Sequence, residues 1–411
     1  MKVLMLSWEY TPHIVGGLGA HVVDLVPELV ADGVEVHLVV PRLGGGEFTE
    51  PLPMPDGSPA TNGSRVYRVE PSGMQGDFFT NTWHDNIQVE SFCTHLVRQQ
   101  GGFDLIHDHD WLSGFAAIAL KHNFHLPLLS TIHATEMGRN QGKLYGEMQR
   151  SIHMAEWWLT FESWRIIACS QYMSWEVQTY FGAPSEKITV IPNGVDPRRF
   201  DALRGLDLAS FRVAYARPDQ PIVYYVGRMV PQKGLQIIVE AAPYVLREWP
   251  GVKFVLAGGG SGYTNELRAK ARELGVADNI IFPGRVSDEV RDGLFKVADA
   301  AVFPSIYEPF GIVALEAMAA GTPVIVSDVG GLSEVVDLHE TGIKVYPDDP
   351  QSLAWGILHT LKHPEWSRQR ARNADRVVRE QFNWSLIADK TLDVYKQVVA
   401  EARAGDWAYK D

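Results

Sequence analysis

Along this chain short apolar runs rich in β-branched residues alternate with helix-length stretches, and the alternation breaks off once and starts again. Val3 to Leu6 reads as a strand. A helix then places Leu18, Val22, Leu25, Val26 and Leu29 on one stripe, and Val34 to Val40 returns as a second strand. The rhythm continues through Leu105 to His107, Leu128 to Ile132, Ile166 to Ala168 and Ile188 to Ile191. Such short β-rich runs are expected to be covered on both faces, as in a parallel sheet. After Asn193-Gly194-Val195-Asp196-Pro197 the chain turns polar and arginine-rich to about Asp219, which predicts a link between domains and a possible hinge. A second series follows at Ile222 to Val226, Phe254 to Leu256, Ile280 to Phe282, Ala300 to Phe303, Val324 to Val326 and Ile343 to Val345. The fold class is therefore α/β: two doubly wound, Rossmann-like domains, about 1–200 and 201–385, with a ligand cleft expected at the carboxyl ends of the sheets. The stretch from about Arg42 to Ser64, crowded with Gly, Pro, Ser, Thr and Asp, predicts a mobile loop.

With 411 residues, 45% of them hydrophobic, the chain has enough apolar surface for two such domains. Its 37 Lys and Arg against 50 Asp and Glu give a net charge of -13, which argues against nucleic acid or an anionic membrane as the main partner. Two cysteines, Cys93 and Cys169, make neither a disulfide framework nor a zinc site, so a reducing cytoplasm is expected. No segment approaches the roughly 18 apolar residues of a transmembrane span.

Four groups of residues point to chemistry. In Glu308-Pro-Phe310-Gly311-Ile312-Val313-Ala-Leu-Glu316, two carboxylates flank a turn that can open a helix. The unpaired N–H groups of Gly311, Ile312 and Val313 would suit a phosphate or a sugar hydroxyl. An acidic loop and a solvated helical Glu would give the same string. Arg228 ends a predicted strand and Lys233 follows five residues later, so two cations at one strand-to-helix loop could neutralise a leaving diphosphate. Two ordinary surface cations are the plain alternative. Val15-Gly16-Gly17-Leu18-Gly19 opens the first helix, but the dinucleotide fingerprint G-x-G-x-x-G fails at Val22. The fourth group is His107-Asp108-His109-Asp110-Trp111 with His133. Neighbours on a strand face opposite ways, which disfavours one metal cluster there, and the run reads as an acceptor-lining edge or a structural one. His133 follows another strand, where it would donate to a substrate hydroxyl or serve packing.

Taken together and in order, these residues resemble the retaining glycosyltransferases of the GT-B fold, of family 4 type and related to bacterial glycogen and starch synthases. The match runs from Gly16-Gly17-Leu18 through His133, Asn193-Gly194-Val195-Asp196 and Gly227-Arg228 with Lys233 to Glu308 and Glu316. The resemblance implies that a sugar nucleotide binds mainly to the second domain and that the acceptor enters from the first. It also implies that the last helix, about 386–411, packs back on the first domain. Residue by residue, it implies that Arg228 and Lys233 bind the diphosphate, that Glu308 contacts the donor sugar, and that Glu316 binds the ribose. Gly16, Gly17 and Phe310 to Val313 would line the donor, with backbone donors from Gly17 and Gly311 to Val313; Val286 would lie at the base, and His133 would assist the transition state. Asp110 and Trp111 would line the acceptor. The chemistry implied needs no metal. Ser7-Trp8-Glu9-Tyr10 and Gln232-Lys233-Gly234 look more like glucan synthases than mannosyltransferases, which implies glucose from UDP-glucose or ADP-glucose passed to an α-1,4-glucan. One departure is Val15, where longer bacterial glycogen synthases usually carry a lysine beside the glycine pair. Small-molecule, sugar-phosphate and lipid acceptors stay open, and so does a silent sugar-binding protein.

Overall fold

The computed structural model describes residues 1–203, 207–405 and 407. The chain divides into two units, one of Met1–Asn193 with the chain from Trp384 onward, the other of Gly194–Asn383. Each is an α/β unit around one sheet.

In the first unit the strands are β1 (Lys2–Leu6), β2 (Glu35–Pro41), β3 (Thr49–Pro51), β4 (Arg65–Val69), β5 (Leu105–His109), β6 (Leu128–Ile132), β7 (Arg165–Ala168) and β8 (Ile188–Val190). Their order is β3-β4-β2-β1-β5-β6-β7-β8, parallel throughout except β3 against β4. The central strands β5 and β6 are buried at every position, which is why their sequence shows no alternation. The stretch 42–64 differs from the mobile loop expected of it. It contains β3, and Leu52 within it is fully buried. The buried Arg68 guanidinium ties it down by donating to the carbonyls of Glu47 and Thr11, both at 2.8 Å, and to Glu50 at 2.6 Å. Composition reads the turns correctly but has no means of seeing these distant anchors.

The helix Trp384–Ala404 completes this unit. Trp384, Ile387, Tyr395 and Val398 share one apolar cluster with Val3, Leu25, Leu29 and Leu105. Its polar contacts reach equally far along the chain: Trp384 Nε1 donates to Asp24 at 3.1 Å, and the Tyr395 hydroxyl lies 2.7 Å from His107 Nδ1.

The second unit contains β9 (Ile222–Val226), β10 (Lys253–Ala257), β11 (Ile280–Gly284), β12 (Ala300–Phe303), β13 (Val324–Ser327) and β14 (Ile343–Val345), all parallel, in the order β11-β10-β9-β12-β13-β14. This is the doubly wound order, with its switch point between β9 and β12. The polar stretch after Asn193 is built into this unit. It forms the short helices Arg198–Asp201 and Ala209–Val213; Phe200 is fully buried with its ring 6.2 Å from Phe295, and Arg212 pairs with Asp299 at 2.8 Å. Among the described residues no helix is long and apolar enough to cross a membrane.

Candidate functional site

The loops leaving β9 and β12 meet at the switch point of the second sheet. After β9 come Gly227, the exposed Arg228, and a single 3-10 turn, Pro231–Lys233, closed by Gly234 at φ +68°. A Cβ on Gly234 would lie 1.8 Å from the carbonyl oxygen of Pro304, so only glycine lets the two loops touch. That contact carries Lys233 to Glu308. The ammonium donates to Glu308 Oε2 at 2.6 Å, and Ser305 Oγ donates to the same oxygen at 3.1 Å. Glu308 is buried, and among the described residues its Oε1 has no protein donor.

Two residues on, Gly311 at φ +107° turns the chain into the helix Ile312–Ala320. A Cβ there would sit 2.5 Å from Leu332 Cδ2. The N–H groups at this helix start have no intrahelical acceptor. Phe310 is the exception in this loop, with its ring buried 6.2 Å from Phe382, so its side chain serves the core and only its backbone faces the turn. Glu316, further along the helix, accepts from Arg199 at 3.1 Å, and Arg199 also holds Asp292 at 2.7 Å. Arg199 and Asp292 were not legible as site residues, since nothing in the sequence joins Arg199 to positions 93 and 117 further on. Val286 lies partly buried in the loop after β11, on the same carboxyl edge. Arg228 has no carboxylate partner among the described residues.

In the first unit the glycine turn differs from expectation. Glu9 Oε2 accepts from the N–H groups of Val15 and Gly16 at 2.8 and 3.0 Å, so the anion at this helix start is the protein's own carboxylate. Gly16 therefore has its donor engaged, while Gly17 opens the helix with no protein acceptor among the described residues. Glu9 was missed because its side chain returns on a turn that no spacing rule encodes.

At the carboxyl ends of β5 and β6 four imidazoles converge. His133 Nε2 lies 3.1 Å from His109 Nδ1, and the His21 ring is 4.8 Å from that of His133. His107 is fixed between Tyr395 and Thr131, at 2.7 and 2.8 Å. Burial holds all four below the usual imidazole range, His21 at about 4 and His107 at about 3, so they are neutral near pH 7. His21 Nδ1 is 2.7 Å from Asn193 Oδ1, which leaves Nε2 as the acceptor; this atom and His109 Nε2 are buried without partners. Ring nitrogens of His21, His109 and His133 all lie within 4.8 Å, a donor set that a divalent ion could use. Asp110, at φ +62°, accepts from the backbone N–H of His133 at 2.7 Å, and burial pushes its carboxyl up to about 6. It positions His133 rather than presenting a free carboxylate. Trp111 is buried in an aromatic cluster, its ring 5.7 Å from Phe79, so it offers no open face to an acceptor.

Comparison with known proteins decides what this arrangement belongs to. The family described as Glycosyltransferase Family 4 matches residues 15–199, and that described as Glycosyl transferases group 1 matches 209–377. An uncharacterized glycosyltransferase of Methanocaldococcus jannaschii is 38% identical over 96% of this chain and 98% of its own. The chain belongs to the family 4 glycosyltransferases. This glycosyltransferase is also 36% identical to a glycogen synthase of Mycobacterium tuberculosis, over 96% of this chain and 94% of that one. It is 29% identical to a D-inositol 3-phosphate glycosyltransferase of Jonesia denitrificans, over 95% and 93%. Sucrose-phosphate synthase of Thermosynechococcus elongatus superposes with a TM-score of 0.80 at 25% identity, covering 97% of this chain and 99% of that one. HepE of Anabaena, solved in complex with UDP-glucose, superposes with a TM-score of 0.74 at 20% identity, covering 97% and 100%. The fold is GT-B, and within it the family 4 enzyme is related to the glycogen and starch synthases.

Proposed function

We propose that this glycosyltransferase moves glucose, with retention of configuration, from UDP-glucose or ADP-glucose to an α-1,4-glucan. The observation that carries the reading is the pair of half-buried Lys233 and buried Glu308 beside the open helix start at Gly311. Lys233 uses one of its three donors on Glu308, leaving two for a diphosphate, and the exposed Arg228 adds a fork donor. Glu308 Oε1, without a protein donor, can accept from sugar hydroxyls, while N–H groups from Gly311 to Val313 bind oxygen. Glu316, held by Arg199, is assigned to the ribose, and Val286 to the base. From the first unit, His133, kept neutral by burial and with its backbone held by Asp110, is assigned to the donor sugar, and the Gly17 N–H to a hydroxyl.

In the reaction the bond from C1 to the β-phosphate oxygen breaks, the bond from C1 to the acceptor oxygen forms on the same face, and the acceptor proton passes to the leaving phosphate. Lys233 and Arg228 stabilise the charge that develops on that phosphate. The reading uses no metal. The glucan acceptor is supported by the M. tuberculosis relative. A second reading, transfer to a small acceptor such as an inositol phosphate, is favoured by Val15 in place of a cation and by the J. denitrificans relative.

The test is release of nucleoside diphosphate from UDP-glucose, ADP-glucose and GDP-mannose, with glycogen, with inositol phosphate and with neither, and mass analysis of the product. Glucan-dependent release from a glucose donor is expected. Release from a glucose donor with inositol phosphate and not with glycogen would replace this reading by the second.

A further inference from the structure

The second unit buries a cation that no acid matches. Arg370, on the helix Pro364–Gln381, is 5% exposed. Its Nη2 donates to Ser367 Oγ at 2.9 Å, and Ser367 Oγ in turn donates to the Thr360 carbonyl at 2.8 Å. Among the described residues no carboxylate pairs with it, whereas Arg199, Arg212 and Arg379 each hold an aspartate. Burying a guanidinium without a counter-charge is costly, and burial here pulls its pKa down with nothing to raise it. The same knot leaves Thr360 Oγ1 buried without a partner.

Arg370 lines a cavity of about 430 Å³ together with His339, His359, Trp366, Gln369 and Asn373. Glu340 is the one acid on its rim. Its side chain is exposed, and its backbone carbonyl accepts from Asn373 Nδ2 at 3.0 Å. His363 stacks on Trp366 with centroids 4.5 Å apart and planes 23° from parallel, which holds the exposed indole as a flat wall. His359 lies 5.9 Å from the same indole and 6.4 Å from His339. His339 adopts φ +67°, a left-handed conformation that costs a non-glycine residue energy and marks a held position.

Topology separates this cavity from the Lys233–Glu308 pair. β14 is parallel to β13, its one neighbour, so the His339 turn just before it lies at the amino edge of the sheet. The helix Pro350–Lys362 follows β14 and runs back, bringing His359 to that edge; Lys362 there pairs with Glu248, the last residue of the helix after β9. The donor loops leave the opposite, carboxyl edge.

We propose that this cavity is a second ligand site, for a sugar phosphate or a phosphate ester of similar size. The guanidinium and the imidazoles supply donors for the oxyanion. Gln369 Nε2 donates to Asn373 Oδ1 at 3.1 Å, and the second N–H of each amide is left to donate to hydroxyls, while the indole face suits the C–H face of a pyranose. The volume exceeds what a bare phosphate would fill.

The experiment is calorimetric titration of the full chain with glucose 6-phosphate, inorganic phosphate and glucose, in the wild type and in Lys233→Ala. Glucose 6-phosphate is expected to bind both proteins alike, with glucose silent and phosphate at least about tenfold weaker. Arg370→Gln should weaken glucose 6-phosphate about tenfold or more. Trp366→Ala, at an exposed position where folding is not at issue, should weaken it several-fold. Binding that disappears in Lys233→Ala and survives in Arg370→Gln and Trp366→Ala would overturn the site. So would the absence of heat with every probe. Phosphate binding as tightly as the ester would overturn the ester and assign the cavity to the free ion.

Discussion

At the scale of single residues, the site rests on a few groups whose charge is set by their neighbours. Lys233 and Glu308 are 2.6 Å apart, and each is useful to a donor only through atoms the other leaves free. Lys233→Ala and Glu308→Gln are each expected to lower kcat/KM at least about 100-fold, a loss of about 2.7 kcal/mol of transition-state stabilisation, with circular dichroism unchanged. Near-normal nucleoside diphosphate release in either variant would remove the assignment.

Each imidazole of the cluster gives a pH dependence whose sign is fixed. His21 has its pKa lowered from 6.5 to about 4, so the unfolded chain binds a proton there that the folded chain does not. Its contribution, roughly 3 kcal/mol, is fully present above pH 6.5 and is lost as pH falls through 4. His107, at about 3, acts in the same direction. Asp110, raised from 3.8 to about 6, acts oppositely, stabilising at low pH and losing that contribution as pH rises through 6, and the buried Asp108 and Glu156, which desolvation holds well above the usual carboxylate range, act in the same direction as Asp110. The His21 share is read as a difference: the stability that His21→Gln gains or loses relative to the wild type should change in its favour by up to roughly 3 kcal/mol on going from pH 7 to pH 4, as followed by denaturant midpoints. The same cluster could hold a divalent ion, and EDTA is expected to leave transfer unchanged; loss of activity with EDTA and recovery with zinc would place a metal in the reaction.

At the scale of elements, what positions the chemistry is the close approach of strand-end loops. Gly234→Ala would put a Cβ 1.8 Å from the Pro304 carbonyl at a position with φ +68°. The expected cost is about 3 kcal/mol or more, read as a lowered thermal midpoint, with transfer lost because Lys233 no longer reaches Glu308. The strands themselves were legible. β6, β9, β12 and β14 match the predicted runs residue for residue; β9 and β12 carry apolar or aromatic side chains throughout, as strands covered on both faces should. β3 and β4 were not. They lie at the sheet edge, carry Pro, Arg and Glu, and are held by Leu52 and Arg68, whose partners lie outside the local window.

At the scale of the whole molecule, the two units differ in how their chain is gathered. The second is continuous from Gly194 to Asn383, and a fragment of those residues is expected to unfold in one cooperative thermal transition. The first takes its last helix from the far end of the sequence, where Trp384, Tyr395 and Val398 close the core over Val3 and Leu25. Ending the chain after Asn383 would expose those side chains, and the truncated protein should lose the first unit's transition or aggregate, as followed by calorimetry and light scattering.

The sequence by itself determined the two sheets, their parallel character and the order of the candidate site residues, because periodicity and turn chemistry act over a few residues. It also carried the likeness to a family, since an ordered set of short strings is readable without coordinates. Only the tertiary structure decided which charges are neutralised. Glu9 at the first helix start, Arg199 on Glu316, Asp110 behind His133 and the unpaired Arg370 are all set by groups brought together from distant positions, or by their absence. Burial and Coulomb interactions depend on distance in space, and local sequence patterns report only distance along the chain.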